Sequence, residues 1–437
     1  MVHTFTYDGD FFALDVETGS VHMLDKPAYD AVTKLAHSDD PDGVLNAADD
    51  PMMIEIRALR DEGLLFSPPE DEIEKPANII KAMCLHIAHD CNLRCGYCFA
   101  EGGAFAGRRE MMSKEVARAA IDYLVSVSGN RRNMEIDFFG GEPTMNFDVL
   151  KDTVSYARSL EEKYGKNFRF TVTTNGYCVT DEMKDYFDAN MNNIVVSIDG
   201  RKHVHDAVRI TAGGNGSYEK VAANAKDMVL HRSGEYYVRG TFTADNLDFA
   251  EDVLHVADMG FYGLSIEPVV TKGANAIREE HLEDIYAEYE RLAKEYERRR
   301  REGNGFVFFH FMVDLDGGPC KKKRIRGCGA GTEYIAIAPN GDIYPCHQFV
   351  GREKYRMGSV FEDGLDEDIA QEFDACNIYN MESCQSCWAK YYCSGGCAAA
   401  NVNMNDDMMK PYEIGCKMQQ KRLELAIAMA ARELMEA

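Results

Sequence analysis

The sequence predicts an α/β protein built on an incomplete (β/α)6 barrel, with a small domain before the barrel and a cysteine-rich region after it. Apolar strands alternate with helical segments through the middle of the chain, short alternating strands precede them, and most of the 14 cysteines fall into two clusters. Strands that alternate with helices form a parallel sheet, because each helix crosses back over the sheet. Six strand-helix units are too few to close an eight-stranded barrel.

Residues 1–77 are predicted to form a domain of their own. The alternation in HTFTYDGDFFALDVETGSVHML predicts three antiparallel strands, with turns at DGD and TGS. Apolar residues at helical spacing predict helices over 28–36 and 52–65. The acidic segment PPEDEIEKP then marks a boundary with the barrel.

Residues 78–304 are predicted to form the barrel. The expected strands are 79–87, 134–139, 168–173, 193–198, 237–242 and 263–269, and the clearest helices between them are 114–127 and 148–164. Polar motifs follow several of these strands, at the end where enzymes with a barrel of the TIM type keep their chemistry. The charged helix over 277–301 is expected to be a solvated connector.

Residues 305–437 form the third predicted region. We expect it to be short in regular structure and organised by metal, because so loop-rich a segment has little apolar core. One hairpin is expected within GAGTEYIAIAPNGDIYPC.

Charge and hydropathy narrow the partners and the compartment. The chain has 48 Lys and Arg against 73 Asp and Glu, which gives a formal net charge of −25, so a nucleic-acid partner is disfavoured. No apolar stretch approaches the ~20 residues that cross a bilayer, and the first residues lack signal-peptide features. We therefore expect a cytoplasmic protein without membrane contact. In a reducing cytosol, clustered cysteines indicate metal or redox centres rather than disulfides.

The first cysteine cluster, CNLRCGYC, follows the first barrel strand and contains Cys91, Cys95 and Cys98. Structural zinc takes four ligands in closed tetrahedral sites, so three thiolates within eight residues fit it poorly. A four-iron cluster on three thiolates accounts for them, because one iron is left open to a ligand that is not protein. The spacing, with an aromatic residue just before the last cysteine, resembles the signature of the radical SAM superfamily.

That resemblance implies S-adenosylmethionine (SAM) as the ligand of the open iron. By the same resemblance, an electron from the cluster cleaves SAM to a 5′-deoxyadenosyl radical, which takes a hydrogen atom from the substrate. The segment Gly140, Gly141 and Glu142, followed by a proline, looks like the superfamily motif that holds the SAM amino group.

Further SAM contacts are implied by the same family. The serine of an SxDG segment and the arginine twelve positions later reach the SAM ribose and carboxylate, which corresponds here to Ser197 and Arg209. The backbone of Tyr97 is expected at the adenine. Asp199 and Asp206 are equally well explained as turn or cap residues.

The remaining clustered cysteines resemble the SPASM extension of radical SAM enzymes that modify peptides. The resemblance rests on seven cysteines and on the glycine five places before Cys346: Cys328, Cys346, Cys384, Cys387, Cys393, Cys397 and Cys416. It implies a distal auxiliary cluster on Cys384, Cys387, Cys393 and Cys416, and a proximal one on Cys328, Cys346 and Cys397, for a total of three [4Fe-4S] clusters. A pair of zinc ribbons is the alternative.

Cys320 stays open in this assignment. With Cys320, both auxiliary clusters have four thiolates, and without it one iron is free to bind a substrate thiolate. The neighbouring basic run KKKRIR is either a solvated loop or an offset to the negative charge of a cluster.

The N-terminal domain resembles the RiPP recognition element, a winged-helix-like fold. Such elements bind the leader of a precursor peptide along an exposed strand edge. The alternative, a winged-helix domain for DNA, should be basic, whereas residues 1–77 are acid-rich.

Taken together, the three parts resemble peptide thioether synthases. The segments CGAGTEYIAIAPNGDIYPCHQFVG and CWAKYYCSGGC are especially similar to the maturases of SCIFF peptides, which are sactipeptide or ranthipeptide synthases. The resemblance implies an oxidoreductase that joins a cysteine sulfur to a carbon, often of threonine, in a ribosomally made precursor peptide. A flavodoxin or ferredoxin-type protein is the implied reductant.

Three other functions remain open at this point. Two share the scaffold: an anaerobic sulfatase-maturating enzyme that forms formylglycine, and a peptide maturase that makes carbon–carbon cross-links. The third is an iron-sulfur electron-transfer protein. Sulfatase maturases carry an aspartate base directly after the cysteine that corresponds to Cys346, and this chain has His347 there.

Overall fold

The computed structural model describes residues 1–70, 73–75, 77–105, 107, 109–316 and 318–436. The N-terminal segment is a three-stranded antiparallel sheet, as predicted, followed by the two expected helices and a third short helix between them. Its elements are β1 (Val2–Tyr7), β2 (Asp10–Asp15), β3 (Val21–Leu24), α1 (Lys26–Ala36), α2 (Pro41–Ala47) and α3 (Pro51–Asp61). Each helix starts with an aspartate cap followed by proline, and the cap carboxylate accepts a backbone N–H three residues on.

The middle of the chain contains the six predicted strand-helix units. Its elements are β4 (Ala82–His89), β5 (Leu93–Cys95), β6 (Glu110–Met111), α4 (Lys114–Val127), β7 (Asn133–Gly140), α5 (Phe147–Tyr164), β8 (Asn167–Thr174), α6 (Asp181–Asn190), β9 (Asn193–Ser197), α7 (Lys202–Val208), β10 (Arg209–Thr211), α8 (Tyr218–Val229), β11 (Glu235–Phe242), α9 (Phe249–Asp258), β12 (Gly263–Pro268) and α10 (Leu282–Arg301). Strands β4, β7, β8, β9, β11 and β12 pair in parallel in this order. The partial (β/α)6 barrel is therefore confirmed.

The two faces of a barrel strand have different surroundings, as β7 illustrates. Met134, Ile136 and Phe138 alternate along it and are buried in the layer shared with the helices. Asp137 and Phe139 alternate with them, and both keep partial exposure. The period of two in a strand thus places polar side chains inside the barrel.

The C-terminal region continues the barrel sheet. Its elements are β13 (Val307–Phe308), α11 (Lys321–Arg324), β14 (Tyr334–Ile337), β15 (Asp342–Tyr344), β16 (Gly358–Ser359), α12 (Glu367–Ala375), α13 (Glu382–Gln385), α14 (Lys390–Cys393), α15 (Ala398–Asn405) and α16 (Glu413–Glu436). The predicted hairpin is β14–β15, and β14 also pairs in parallel with β4. The hairpin therefore closes one side of the barrel, which the sequence did not predict.

The expectation that residues 305–437 hold little regular structure is wrong at their C-terminal end. There α16 runs for 24 residues and packs against α10. Buried apolar residues such as Leu425 and Ile427 place α16 in the main apolar core of the protein. The solvated connector expected over 277–301 is also corrected, because α10 buries Ile285, Tyr289 and Leu292.

The N-terminal sheet shares its core with α16. Phe5 and Phe12 belong to the same buried apolar cluster as Met418 and Leu425, whereas Ala13 packs in a second cluster with the N-terminal helices. The sheet is thus covered on both faces. The division of the chain at residues 77 and 304 remains a prediction.

The basic run expected to be solvated or to face a cluster instead contacts the N-terminal segment. The ammonium of Lys321 lies 3.2 Å from a carboxylate oxygen of Glu17 and 2.9 Å from one of Glu70, and Lys322 lies 2.9 Å from Glu74. Among the helices of the described ranges, none has the length and apolarity needed to cross a membrane.

Candidate active site

The loop after β4 brings the first three cysteines together. Burial, together with smaller effects of the Glu142 carboxylate and of the thiols of Cys95 and Cys98, raises the pKa of Cys91 to about 12. The backbone N–H of Leu93 and the side-chain amide of Asn175 donate to the Cys91 sulfur at 3.4 and 3.5 Å. Neighbouring thiols that receive N–H bonds suit an iron-sulfur cluster, whose potential such bonds adjust.

Gly140 and Gly141 are required by the packing of the backbone. A Cβ atom on Gly140 would lie 2.3 Å from the carbonyl oxygen of Ala88, and one on Gly141 would lie 2.2 Å from that of Asp90. These contacts hold the end of β7 against the loop that carries Cys91. The two glycines therefore bring Glu142 close to the cysteine loop.

Glu142 is a buried carboxylate with one oxygen fully used. Its Oε1 accepts from Thr144 N and Oγ1 and from Thr174 Oγ1, whereas Oε2 accepts only from Asn175 N, at 2.8 Å. Burial raises the pKa of Glu142, and these hydrogen bonds oppose the shift. A carboxylate oxygen has about two acceptor sites, so Oε2 can take one more donor. An ammonium group would fit there.

Arg209 and Tyr97 meet at Asp199, which is fully buried. The Arg209 Nε donates to Asp199 Oδ2 at 2.9 Å, and the Tyr97 hydroxyl donates to the same oxygen at 2.6 Å. Strand β10 pairs with β5 so that Arg209 stands opposite Cys95. Asp199 is thus an ion-pair partner in the site and not a simple turn residue, whereas Asp206 does cap backbone N–H groups, those of Ser217 and Tyr218. Ser197 ends β9, half-buried.

The C-terminal thiols fall into two sets. In the first, burial raises the pKa of Cys346 to about 12, with further increases from the thiols of Cys328 and Cys397. In the second set, burial raises the pKa of Cys416 to about 12, and the thiols of Cys393, Cys384 and Cys387 contribute smaller increases. The two sets contain the cysteines expected for the proximal and distal clusters, and the assignment of each set to a cluster remains a prediction. In the described part of the chain, no three His, Cys, Asp or Glu side chains converge as they would around a single metal ion.

Cys320 and Cys376 are the two cysteines of the C-terminal region outside these sets. Cys320 is exposed at the start of α11. Cys376, which the sequence analysis left out, lines a small cavity together with Cys328. Burial raises the pKa of Cys376 to about 11, and the thiols of Cys384, Cys397 and Cys328 add to the increase.

The barrel interior below these groups carries ionisable side chains. Burial raises the pKa of Asp137 to about 7, and its one hydrogen bond, from the Thr173 hydroxyl, measures 3.1 Å. His347 lies 3.3 Å from the Tyr334 hydroxyl through Nδ1, and burial lowers its pKa to about 4. A neutral imidazole therefore stands beside Cys346, where the aspartate of sulfatase maturases would stand.

The thiols after β4, together with Glu142 and Arg209, form a site suited to an iron-sulfur cluster and SAM. The C-terminal thiol sets suit further clusters. Residues 85–253 match the radical SAM superfamily, and residues 328–388 match SPASM, the iron-sulfur cluster-binding domain. The protein is a radical SAM superfamily enzyme that uses SAM. Its radical SAM domain binds a [4Fe-4S] cluster and SAM, and its SPASM domain binds auxiliary iron-sulfur clusters.

Three known proteins show the range of similarity. The cysteine-type anaerobic sulfatase-maturating enzyme of Clostridium novyi is 24% identical over 329 residues, which cover 70% of this chain and 85% of the relative. The structure of native anSMEcpe with bound AdoMet superposes with a TM-score of 0.67 at 17% identity, over 81% of this chain and all of that one. Streptococcus suis SuiB bound to its precursor peptide SuiA gives 0.55 at 15% identity, over 95% of this chain and 98% of that one. The two solved structures establish the fold.

Proposed function

We propose that this enzyme modifies a ribosomally made, cysteine-rich precursor peptide. It joins a cysteine sulfur to a carbon atom of another residue, and that residue is threonine. The observation that carries this proposal is the set of thiols around Cys346. Cys328 and Cys397 are the thiols that shift the pKa of Cys346, and neither Cys320 nor Cys376 is among them, so the proximal set offers three protein thiolates. A set of three leaves room for a thiolate of the substrate.

The proposed roles follow the three thiol sets. Cys91, Cys95 and Cys98 hold the SAM cluster, Cys328, Cys346 and Cys397 the proximal cluster, and Cys384, Cys387, Cys393 and Cys416 the distal one. When bound, the cluster and SAM supply the carbon radical that removes a hydrogen atom from the substrate. The protein positions SAM through Glu142, Arg209, Ser197 and the backbone of Tyr97, and the buried barrel excludes water.

The N-terminal sheet is proposed to bind the leader of the precursor. β3 is an edge strand that pairs only with β2 within its sheet, and His22 on β3 bonds to the carbonyl of Leu64, which follows α3. Met23, Ile54 and Leu64 are 38%, 50% and 37% exposed. An extended peptide can pair with the free edge and cover these apolar side chains. The structural match to SuiB, which was solved with its precursor peptide, covers 95% of this chain, whereas the match to anSMEcpe covers 81% of it.

Replacing an exposed apolar residue tests this leader site. Covering a fully exposed isoleucine side chain contributes about 1.5–3 kcal/mol. Because Ile54 is half exposed, Ile54→Asp should raise the Kd for the precursor roughly 3- to 12-fold. The Kd for SAM should not change. The matched control is Tyr262→Asp, which alters a residue 60% exposed on the barrel. Equal precursor affinity in the two variants, measured by fluorescence anisotropy, would contradict a leader site at β3.

The reaction itself is tested with a cysteine-rich precursor peptide, sought among the short open reading frames beside the gene. Reconstituted enzyme, dithionite and SAM should release 5′-deoxyadenosine and give a product two mass units lighter, with one titratable thiol fewer. A Cys320→Ser variant should keep this activity and its iron content. Loss of iron from that variant would assign Cys320 to a cluster and remove the open position.

Formylglycine formation is the second candidate, and the similarity to sulfatase-maturating enzymes favours it. It predicts an aldehyde in the product, detectable with a hydrazide, and no thioether. The replacement of the expected aspartate by a neutral His347 argues for thioether formation instead. An aldehyde product from the encoded peptide would reverse this conclusion.

A further inference from the structure

Arg422, in the middle of α16, is a buried cation without an anionic partner in the described residues. It is 8% exposed. One terminal nitrogen donates to His310 Nδ1 at 3.1 Å, the other donates to the side-chain oxygen of Gln419, and Nε has no hydrogen-bond partner. Burial and the charge of Arg422 lower the pKa of His310 well below its usual value, so His310 is neutral. Each contact of the guanidinium is therefore to an uncharged group.

An unpaired buried charge is costly, because water no longer solvates it. The nearest acidic group on the same cavity wall, Glu267, is already paired with Arg239 at 2.7 Å. An anionic group next to Arg422 would supply the missing counter-charge. The cavity that Arg422 lines shows which anion is available.

This cavity has a volume of about 310 Å³ and lies between the two auxiliary thiol sets. Cys393 and Cys416 of the distal set line it together with Cys397 of the proximal set, His310 and Arg422. Arg422 and two distal thiols therefore face the same cavity.

We infer that Arg422 is the counter-charge of the distal auxiliary cluster and raises its reduction potential. This inference rests on the proposed distal ligands Cys384, Cys387, Cys393 and Cys416. A cluster on four thiolates carries net negative charge, and reduction adds one electron without a proton. A fixed cation stabilises the reduced form more than the oxidised form, and burial strengthens the effect. Arg422 thereby makes this cluster the better electron acceptor.

The test is a potentiometric titration of the full-length protein followed by electron paramagnetic resonance. Replacing Cys91, Cys95 and Cys98 with alanine leaves only the auxiliary clusters in the spectrum. In that background, Arg422→Gln should lower the ratio of reduced to oxidised distal cluster about tenfold at fixed potential, a shift of about 59 mV for one electron. Arg422→Lys, which keeps the charge, should recover part of it.

The control is Arg432→Gln, the same change of charge on the same helix. Arg432 pairs with Asp10 and Glu297, away from the cavity, and its replacement should leave the potential unchanged. A second variant, Gln419→Glu, places a carboxylate against the guanidinium without removing it and should also lower the potential. If Arg422→Gln fails to retain iron, the reduction potential of Gln419→Glu tests the inference in its place.

An unchanged distal potential in Arg422→Gln with full iron content would overturn the inference. Unchanged potential together with weaker precursor binding would overturn it as well and would assign Arg422 to a carboxylate of the substrate. Because the titration needs neither substrate nor SAM, it stands apart from the thioether proposal. If the Cys387→Ala variant kept the distal signal, the inference would fall together with the ligand assignment on which it rests.

Discussion

His205 should make the protein lose stability as the pH falls below 6.5. Its Nδ1 accepts from the backbone N–H of Asp199 at 3.4 Å, so Nε2 carries the proton and faces the Ser217 hydroxyl at 2.9 Å. That hydroxyl donates to the carbonyl of Arg209 at 2.6 Å. A second ring proton would point at the Asp199 N–H. Burial, followed by the charge of Arg209, lowers the pKa of His205 to about 4.

The magnitude follows from the two pKa values. The unfolded chain takes up a proton near pH 6.5, whereas the folded chain resists until about pH 4. The stability is therefore fully present above pH 6.5 and is lost as the pH falls toward 4. One unit of pKa shift corresponds to about 1.4 kcal/mol. Between pH 7.5 and 5.5, protonation of His205 in the unfolded chain should lower the free energy of unfolding by about 1.4 kcal/mol. Most of this loss occurs below pH 6.5.

Urea unfolding followed by far-UV circular dichroism measures this difference anaerobically. His205→Asn keeps an acceptor for the Asp199 N–H but cannot titrate, so its loss of stability between pH 7.5 and 5.5 should be about 1.4 kcal/mol smaller than in the wild type. The exposed His231→Asn is the control. The reasoning is refuted if His205→Asn loses as much stability over this interval as the wild type does.

Three substitutions probe the metal and SAM groups directly. Cys95→Ala should abolish SAM cleavage, whereas Cys387→Ala should preserve part of it and stop cross-linking, both read from 5′-deoxyadenosine and product mass. Equal loss of the two activities in folded Cys387→Ala would contradict separate roles. Glu142→Gln should weaken SAM binding and cost about 1–3 kcal/mol of stability, because an amide N–H₂ would face a backbone N–H or two hydroxyl donors. Equilibrium dialysis with SAM and urea midpoints check this, and unchanged values would count against the carboxylate.

The elements predicted best are those whose signal is local in the sequence. The cysteine loop CNLRCGYC, helix α4 over 114–127 and the hairpin β14–β15 each depend on residues within about 20 positions, and the structure contains them. The pairing of β14 with β4 joins residues some 250 positions apart, and alternation in either strand does not specify its partner. Long α16 was missed because its cysteine and charged residues hid its helical period.

The same limit applies to the site. Arg209 was placed by family resemblance, but its partner Asp199 was recognised only through the buried ion pair. Asn175 follows the end of β8 and reaches Cys91 from there, and its place after a barrel strand was the available signal. Cys376 and Arg422 lie in no motif. Only the folded chain brings them to the thiol sets, so composition and spacing could not single them out.

The shared core of α16 changes how the N-terminal domain should be tested. Deleting residues 1–77 would expose Met418 and Leu425, which pack with the N-terminal sheet, and would break the ion pair of Arg432 with Asp10. Since Cys416 stands near the start of α16, we expect the deletion to lower the iron content of the distal site. The measurement is iron per chain against Ile54→Asp, which alters the surface of the domain alone. A deletion that kept full iron would show that α16 holds its position without the sheet.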